Sequence, residues 1–306
     1  MKNTILLYNS GGGLGDSIQL FPLILSLKNH FNNSEFYYLG AHENHYIGKL
    51  KDYDIKIQTL NLDLKYFGFR WWHYFIAIKR FKKLGFKKFD LIIDLQSKLR
   101  NTIILKQLPT EKFYSPTFNY RFCTKLHNGN SFNKPINNYG TIQSIIFNLK
   151  YFLNINFKNI DYSLEKISKK YHNEAIKLLP NKNYVGFSLT QGNVYRKKEW
   201  PLNNIIDLCK KIKLKNKVPV FFIEKSNKNL KNKINSLIAD SLFPEHETLI
   251  QSPALVSCLG KRLDFVVSID NGVMHMLALS KVPMVVLFGP TNSKKFAPDY
   301  DGVVVL

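Results

Sequence analysis

Leu263–Thr291, LDFVVSIDNGVMHMLALSKVPMVVLFGPT, decides the fold. Phe265–Ile269 is an unbroken run rich in β-branched residues, the pattern of a strand buried on both faces. Asp270, Asn271 and Gly272 interrupt it. The spacing predicts a short helix over Val273–Ser280, with Met274, Leu277 and Ala278 on one face. A second apolar run, Pro283–Phe288, then ends in Gly289-Pro290-Thr291. Strand, helix and strand in so few residues require parallel strands joined by a right-handed crossover. In such sheets a ligand sits beyond the carboxyl ends of the strands. Asp270–Gly272 and Gly289–Thr291 both fall there. The helix between them opens with unpaired backbone N–H groups, a setting suited to phosphate.

The chain has 306 residues, 45% of them hydrophobic, enough for two α/β domains with real cores. Cys123, Cys209 and Cys258 match neither a disulfide framework nor a zinc site, which points to a reducing, cytoplasmic setting. The apolar run in MKNTILLYNSGGGLGD is too short for a signal peptide, and no window is long enough to cross a bilayer. The net charge of +22 has two readings: lysine-rich usage spread through the chain, or an anionic partner such as a nucleotide-sugar or an acidic membrane surface. No helix-turn-helix, zinc-finger or RNA-recognition pattern accompanies the charge, so nucleic acid is not an expected partner.

From the N-terminus, Thr4–Tyr8 reads as a strand and Gly11-Gly12-Gly13-Leu14-Gly15-Asp16 as a close-approach loop. It is neither a P-loop nor a G-x-G-x-x-G fingerprint. A single amphipathic helix is predicted over Ser17–His30, with Pro22 in its first turns. Asp16 has two readings, a helix N-cap or a carboxylate available as a general base. Ser34–Leu39 reads as a strand. Tyr66–Leu84, YFGFRWWHYFIAIKRFKKL, reads either as an interfacial helix lying on anionic lipid or as a packing helix docking Phe75, Ile78 and Phe81. Phe89–Gln96 is another buried strand, Ser97–Leu108 a helix, and Pro109–Tyr139 a long irregular segment. Helices over Thr141–Leu153 and Lys166–Leu179 lead to a second set, with strands at Tyr184–Leu189 and Val218–Ile223. Domains are therefore expected at 1–165 and 166–306. Arg196, Lys197 and Lys198, at a strand-to-helix loop, suit a diphosphate or simply a solvated surface.

Four of these segments resemble, in order, one known family. Gly13-Leu14-Gly15-Asp16, followed by Phe21-Pro22-Leu23, resembles the start of the ADP-heptose:lipopolysaccharide heptosyltransferases, glycosyltransferase family 9. Asp90–Gln96 resembles that family's YDLVIDLQG segment. Lys198-Glu199-Trp200-Pro201 is similar to its K-x-W-P motif. Ser268–Thr291 resembles its SxDTGxxHxxAAxxxPxxxLFGPT signature. Asn271 stands where the signature has Thr, and Ser97 where the second segment has Gly. The chain also stops at Leu306, where GT-B enzymes commonly carry further C-terminal helices.

The resemblance implies a GT-B α/β architecture, two Rossmann-like domains with parallel sheets facing across a cleft. The first domain would bind the acceptor and the second the donor. It further implies an inverting, metal-independent transferase without a cofactor. Its donor would be a nucleotide-sugar, with ADP-heptose expected. Its acceptor would be an anionic lipid-linked saccharide, such as a lipopolysaccharide core, met by peripheral contact with the inner membrane. Asp16 becomes the candidate base. Lys198 is placed beside the donor phosphates and Asp270 at the sugar hydroxyls. Asn271, Gly272 and His275 face the diphosphate, and Thr190 adds a hydroxyl. Gly13, Gly15 and Gln96 belong to the acceptor or cleft loop. A different class, a catalytically inactive sugar-nucleotide or glycan-binding protein of this fold, remains the alternative.

Overall fold

A computed structural model of the chain describes residues 3–40, 43–85, 87–133, 141–181, 183–190 and 198–306. It contains two α/β units, Met1–Lys51 with Ile55–Tyr162, and Ser163–Leu306 joined by the short excursion Asp52–Asp54. Each is built on one five-stranded, wholly parallel sheet.

The first sheet comprises β1 (Thr4–Asn9), β2 (Glu35–Gly40), β3 (Gln58–Thr59), β4 (Phe89–Asp94) and β5 (Thr110–Tyr114), ordered β3-β2-β1-β4-β5. Ile5, Leu6 and Leu7 are all buried, as continuous apolar strands between helical layers must be. One face of this sheet packs Leu6, Tyr8, Ile92 and Phe113 with Ala77 and Phe81, and with Ile104 and Leu105. The strand order reverses between β1 and β4, where Tyr8 pairs with Asp94. That reversal opens a crevice at the carboxyl ends of the two strands.

The second sheet comprises β6 (Tyr184–Ser188), β7 (Val218–Phe221), β8 (Phe265–Ile269), β9 (Met284–Leu287) and β10 (Val303–Val305), ordered β10-β9-β8-β6-β7. Here the reversal lies between β6 and β8, with Ser188 opposite Ser268. Val185, Phe187, Phe221 and Val267 pack with Ile205, Cys209 and Ile212 of the helix Leu202–Lys213. Within the same unit, fully buried Tyr53 donates its hydroxyl to the Pro253 carbonyl at 2.7 Å and lies 2.7 Å from Ser257 Oγ. Asp52 Oδ2 accepts the Ser252 hydroxyl at 2.7 Å.

Several elements differ from the sequence reading. The expected helix over Ser17–His30 is two, Leu14–Ile18 and Phe21–His30. Pro22 has no N–H to give to the preceding turn and its ring crowds the carbonyl there, so the helix restarts around it. The stretch Tyr66–Leu84 is helical only over His73–Lys83; that helix buries His73, Ala77 and Phe81 and packs Ile78 partly on the core, so Ile78 and Phe81 dock as expected, while Phe75 faces outward. Within the expected irregular segment, Thr110–Tyr114 forms β5 at the sheet edge, with only Phe113 and Tyr114 buried. Residues 134–140 of that segment lie outside the described residues.

Candidate functional site

In the first unit the crevice at the strand reversal is floored by Asn9, at the end of β1. Asn9 Oδ1 accepts the Gly11 N–H at 2.9 Å and the Gln96 side-chain amide at 2.7 Å, tying β1, the glycine loop and the end of β4 together. Asp16 is the third residue of the helix Leu14–Ile18, whose N-cap is Gly13. It is therefore not the N-cap; its Oδ2 accepts the Gly13 N–H at 3.2 Å and closes the loop back on itself. A Cβ on Gly11 would stand 2.9 Å from both Cβ and Cγ of Asp16, so a glycine is required where the loop wraps the carboxylate. Gly15 is buried and its carbonyl accepts the Gln19 N–H.

Gln96 is itself held from below. Asp94, fully buried, accepts the Gln96 N–H at 2.9 Å, the Thr102 hydroxyl at 2.6 Å and the Ser115 hydroxyl at 2.7 Å. Burial pushes its carboxyl up to about 6, against these three bonds. Beside the loop, a cavity of about 840 Å³ is lined by Gly12, Tyr38, His45, Thr59, Lys65 and Tyr66 among others. His45 Nε2 meets the Gly12 carbonyl at 3.1 Å. Burial, with the Asp16 charge adding to it, pushes the Tyr38 hydroxyl up to about 12, so Tyr38 keeps its proton. Gly12 and Tyr66 belong to stretches conspicuous in the sequence, but Thr59 and Lys65 carry no spacing signal that would join them to one cavity.

In the second unit Asp270 follows β8 directly. Lys198 Nζ donates to its carboxylate Oδ2 and, at 3.1 Å, to its backbone carbonyl, and both side chains are only 8% exposed. Thr291 Oγ1 donates to the same Oδ2 at 2.7 Å. Thr291 thus joins Lys198 and Asp270, a role that its place in the Gly-Pro-Thr turn suggested only by proximity to a strand end.

Asn271 caps the helix Gly272–Ala278, its Oδ1 accepting the Met274 N–H at 2.8 Å. Its amide nitrogen donates to the Thr190 carbonyl and the Ser188 hydroxyl, both at 2.9 Å, across the strand reversal. Asn271 is therefore occupied in fixing where the helix begins. Gly272 is the first residue of that helix, half-buried; His275, three residues on, is buried. Thr190 presents its backbone carbonyl to this group. The basic loop containing Arg196 and Lys197 lies outside the described residues. Among the described residues no cluster of three or more His, Cys, Asp or Glu is grouped to hold a metal ion.

Residues 77–305 match the sequence family Glycosyltransferase family 9 (heptosyltransferase). The chain belongs to this family. A glycosyltransferase family 9 protein from Veillonella parvula is similar in fold, with a TM-score of 0.69 at 16% identity over 100% of this chain and 87% of that one. The Escherichia coli heptosyltransferase WaaC, solved with ADP-2-deoxy-2-fluoro heptose, gives 0.63 at 13% identity over 99% and 92%. A UDP-GlcNAc 2-epimerase from Methanocaldococcus jannaschii gives 0.58 at 16% over 100% and 89%. The GT-B fold of two Rossmann-like units is thus shared with an enzyme of another reaction, and it is the family match that indicates a glycosyltransferase. No curated protein sequence matches. Among the described residues no helix of this family 9 chain is long and apolar enough to cross a membrane.

Proposed function

We propose that the chain is an inverting glycosyltransferase that moves heptose, or a closely related sugar, from ADP-heptose to a saccharide carried on a lipid. The observation that carries the reading is the Lys198–Asp270–Thr291 group at the strand reversal of the second unit. A cation, a carboxylate and a hydroxyl stand there beside an Asn-capped helix start. Such a set answers the two ends of a sugar diphosphate: cation and backbone N–H groups for the phosphates, carboxylate for the sugar hydroxyls.

In the reaction Asp16 takes the proton of an acceptor hydroxyl as that oxygen bonds to the anomeric carbon from the face opposite the phosphate. The bond from the anomeric carbon to the phosphate oxygen breaks, and its electron pair leaves with the nucleoside diphosphate. Lys198 and the Gly272 end of the helix stabilise the charge that develops on that leaving group. Asn271 acts by placement of the helix start, and His275 belongs to the same helix, buried one turn on. Gly13, Gly15 and Gln96 shape the acceptor side, with the cavity beside Gly12 receiving the acceptor saccharide. The second unit's Thr190 contributes to the donor side. No metal or cofactor takes part.

A cytoplasmic setting suits three unpaired cysteines whose thiols burial pushes up to about 11 or 12, leaving them inert. The test is calorimetric titration of the chain with ADP-heptose, UDP-sugars and GDP-sugars in the presence of a chelator, followed by mass spectrometry of a saccharide acceptor. Chelator-resistant binding of ADP-heptose with sugar transfer is expected. Tight donor binding without any transfer would favour the inactive sugar-nucleotide-binding alternative, and preference for another nucleotide would reject ADP-heptose.

A further inference from the structure

Between Leu64 and Phe89 the chain contains eight Lys or Arg and no Asp or Glu, interleaved with aromatic residues. The fold uses little of that aromatic content for its core. Trp71 is 68% exposed and Phe75 63%, and Tyr66, Phe69, Trp72 and Tyr74 are exposed as well. Trp71, Trp72, Tyr74 and Phe75 form one patch: ring centroids of Trp71 and Trp72 are 6.1 Å apart, those of Trp71 and Phe75 5.9 Å, those of Tyr74 and Phe75 5.3 Å, and in the turn before them Tyr66 and Phe69 pair at 6.2 Å. Trp72, Phe75, Lys79 and Lys82 follow at three- and four-residue spacing, so the patch continues along the helix His73–Lys83 as an exposed basic stripe.

The turn that displays these rings is anchored by buried polar contacts. The Phe67 carbonyl accepts the buried Tyr8 hydroxyl at 3.1 Å, and Asn101 in turn donates to that hydroxyl at 2.8 Å. The Gly68 N–H donates to His73 Nδ1 at 3.1 Å, and its carbonyl accepts Arg100 Nε at 2.7 Å. Gly68 has φ +84°, and a Cβ there would stand 2.7 Å from Asn101 Cγ. Arg80 ties the far side of the helix to the carbonyls of Leu62 and Asp63. A set of anchors this dense, holding tryptophans out in water, costs free energy unless something covers them.

We propose that this aromatic turn and the basic end of the helix form a docking surface for an anionic lipid bilayer. Indole and phenol rings favour the headgroup boundary, and clustered lysines without acidic neighbours favour an anionic leaflet. Charge complementarity selects this occupant over an uncharged apolar groove or a second copy of the same basic surface. Lys65 and Tyr66 belong at once to the basic aromatic stretch and to the wall of the cavity beside Gly12. A molecule held in the bilayer by its lipid therefore presents its headgroup at the cavity mouth. That last point rests on the acceptor reading above; the bilayer contact itself does not.

The experiment uses the full chain and vesicles of phosphatidylcholine alone or with roughly a third phosphatidylglycerol, a strongly anionic surface. Two of the three tryptophans lie in the patch, so emission reports insertion directly. Co-sedimentation with anionic vesicles and a blue shift in emission are expected. The partition coefficient should fall roughly tenfold or more in W71A/W72A/F75A and by about fivefold per charge in K79Q/K82Q/K83Q. All six positions are exposed, and unchanged thermal unfolding checks that the variants fold. Equal binding by wild type and the aromatic variant would overturn the proposal, since the net charge alone would then hold the chain to lipid. Absence of vesicle binding, or self-association lost in the aromatic variant, would overturn it too. Donor affinity and transfer to a lipid-free saccharide should be the same in both variants as in wild type, which separates this outcome from failure of the transferase reading.

Discussion

Lys198 Nζ donates to both the carboxylate and the backbone carbonyl of Asp270. The ammonium group expected to meet the donor phosphates is thus held against the carboxylate expected to meet the sugar. With both side chains almost fully buried, removing either partner leaves the other as an uncompensated buried charge, and on the reading proposed above a donor would meet the two together. Lys198→Ala should destabilise the fold by about 3 kcal/mol, because it strands a buried carboxylate. Adding Asp270→Asn should recover most of that loss while leaving donor binding abolished. A urea-unfolding double-mutant cycle alongside calorimetry distinguishes this coupling from two independent losses.

Thr291→Val removes the hydroxyl that donates to Asp270 Oδ2 while keeping the side-chain shape. A stability loss of about 1.5–3 kcal/mol is expected for a hydrogen bond to a charged acceptor. If the carboxylate also orients the sugar, donor Kd rises in the same variant, and calorimetry with the nucleotide-sugar against the bare nucleotide separates the two effects.

Asp16→Asn keeps an oxygen able to accept the Gly13 N–H, so the loop should survive. Loss of the base should lower kcat by about 10²–10⁴-fold with donor Kd unchanged. Gly11→Ala should resemble it in rate, since the added Cβ meets Asp16 at 2.9 Å and displaces the carboxylate. Equal kcat in wild type and Asp16→Asn would remove Asp16 from the chemistry.

Asp94 gives a pH signature. Its carboxyl titrates at about 6 when folded and near the ordinary 3.8 when unfolded. Between those values the folded chain holds a proton that the unfolded chain has lost, so stability falls as pH rises through about 4 to 6. The loss across that window amounts to about 3 kcal/mol, the free energy that separates the two titration points. Relative to wild type, Asp94→Asn should lose this slope, its amide donating to Thr102 and Ser115 hydroxyls that turn to accept. Unfolding free energies across that pH range, compared between the two proteins, check it. Parallel curves would assign the dependence to other carboxylates.

The strands that carry the site were legible because parallel strands buried on both faces must be apolar throughout, as Leu6–Tyr8, Ile92–Ile93 and Val266–Val267 are. The edge strands β3 and β5 were not, since an edge exposes part of its length and reads as polar loop. Pro22 was visible, but whether it would start a helix or divide one depends on the loop that Asp16 closes. Phe81 and, in part, Ile78 dock on the core as their spacing suggests, but Phe75 lies on the outer side of the helix and His73 and Ala77 go inward. Asp270 and Lys198 could be named from motifs separately, but their mutual ion pair could not, because it spans 72 residues of sequence. Thr291 could be placed at a strand end, but not bonded to Asp270, because that contact depends on how the two strand ends lie side by side.

Asp52–Asp54 lies more than a hundred residues ahead of the rest of the unit to which it belongs, with Tyr53 bonded to Pro253 and set against Ser257. A hybrid enzyme that exchanges donor preference by grafting everything after Tyr162 from a relative would leave this tyrosine with foreign partners. Recombination here has to transplant two pieces, the tripeptide along with the C-terminal half, and libraries shuffled at a single crossover will be enriched in chains that misfold.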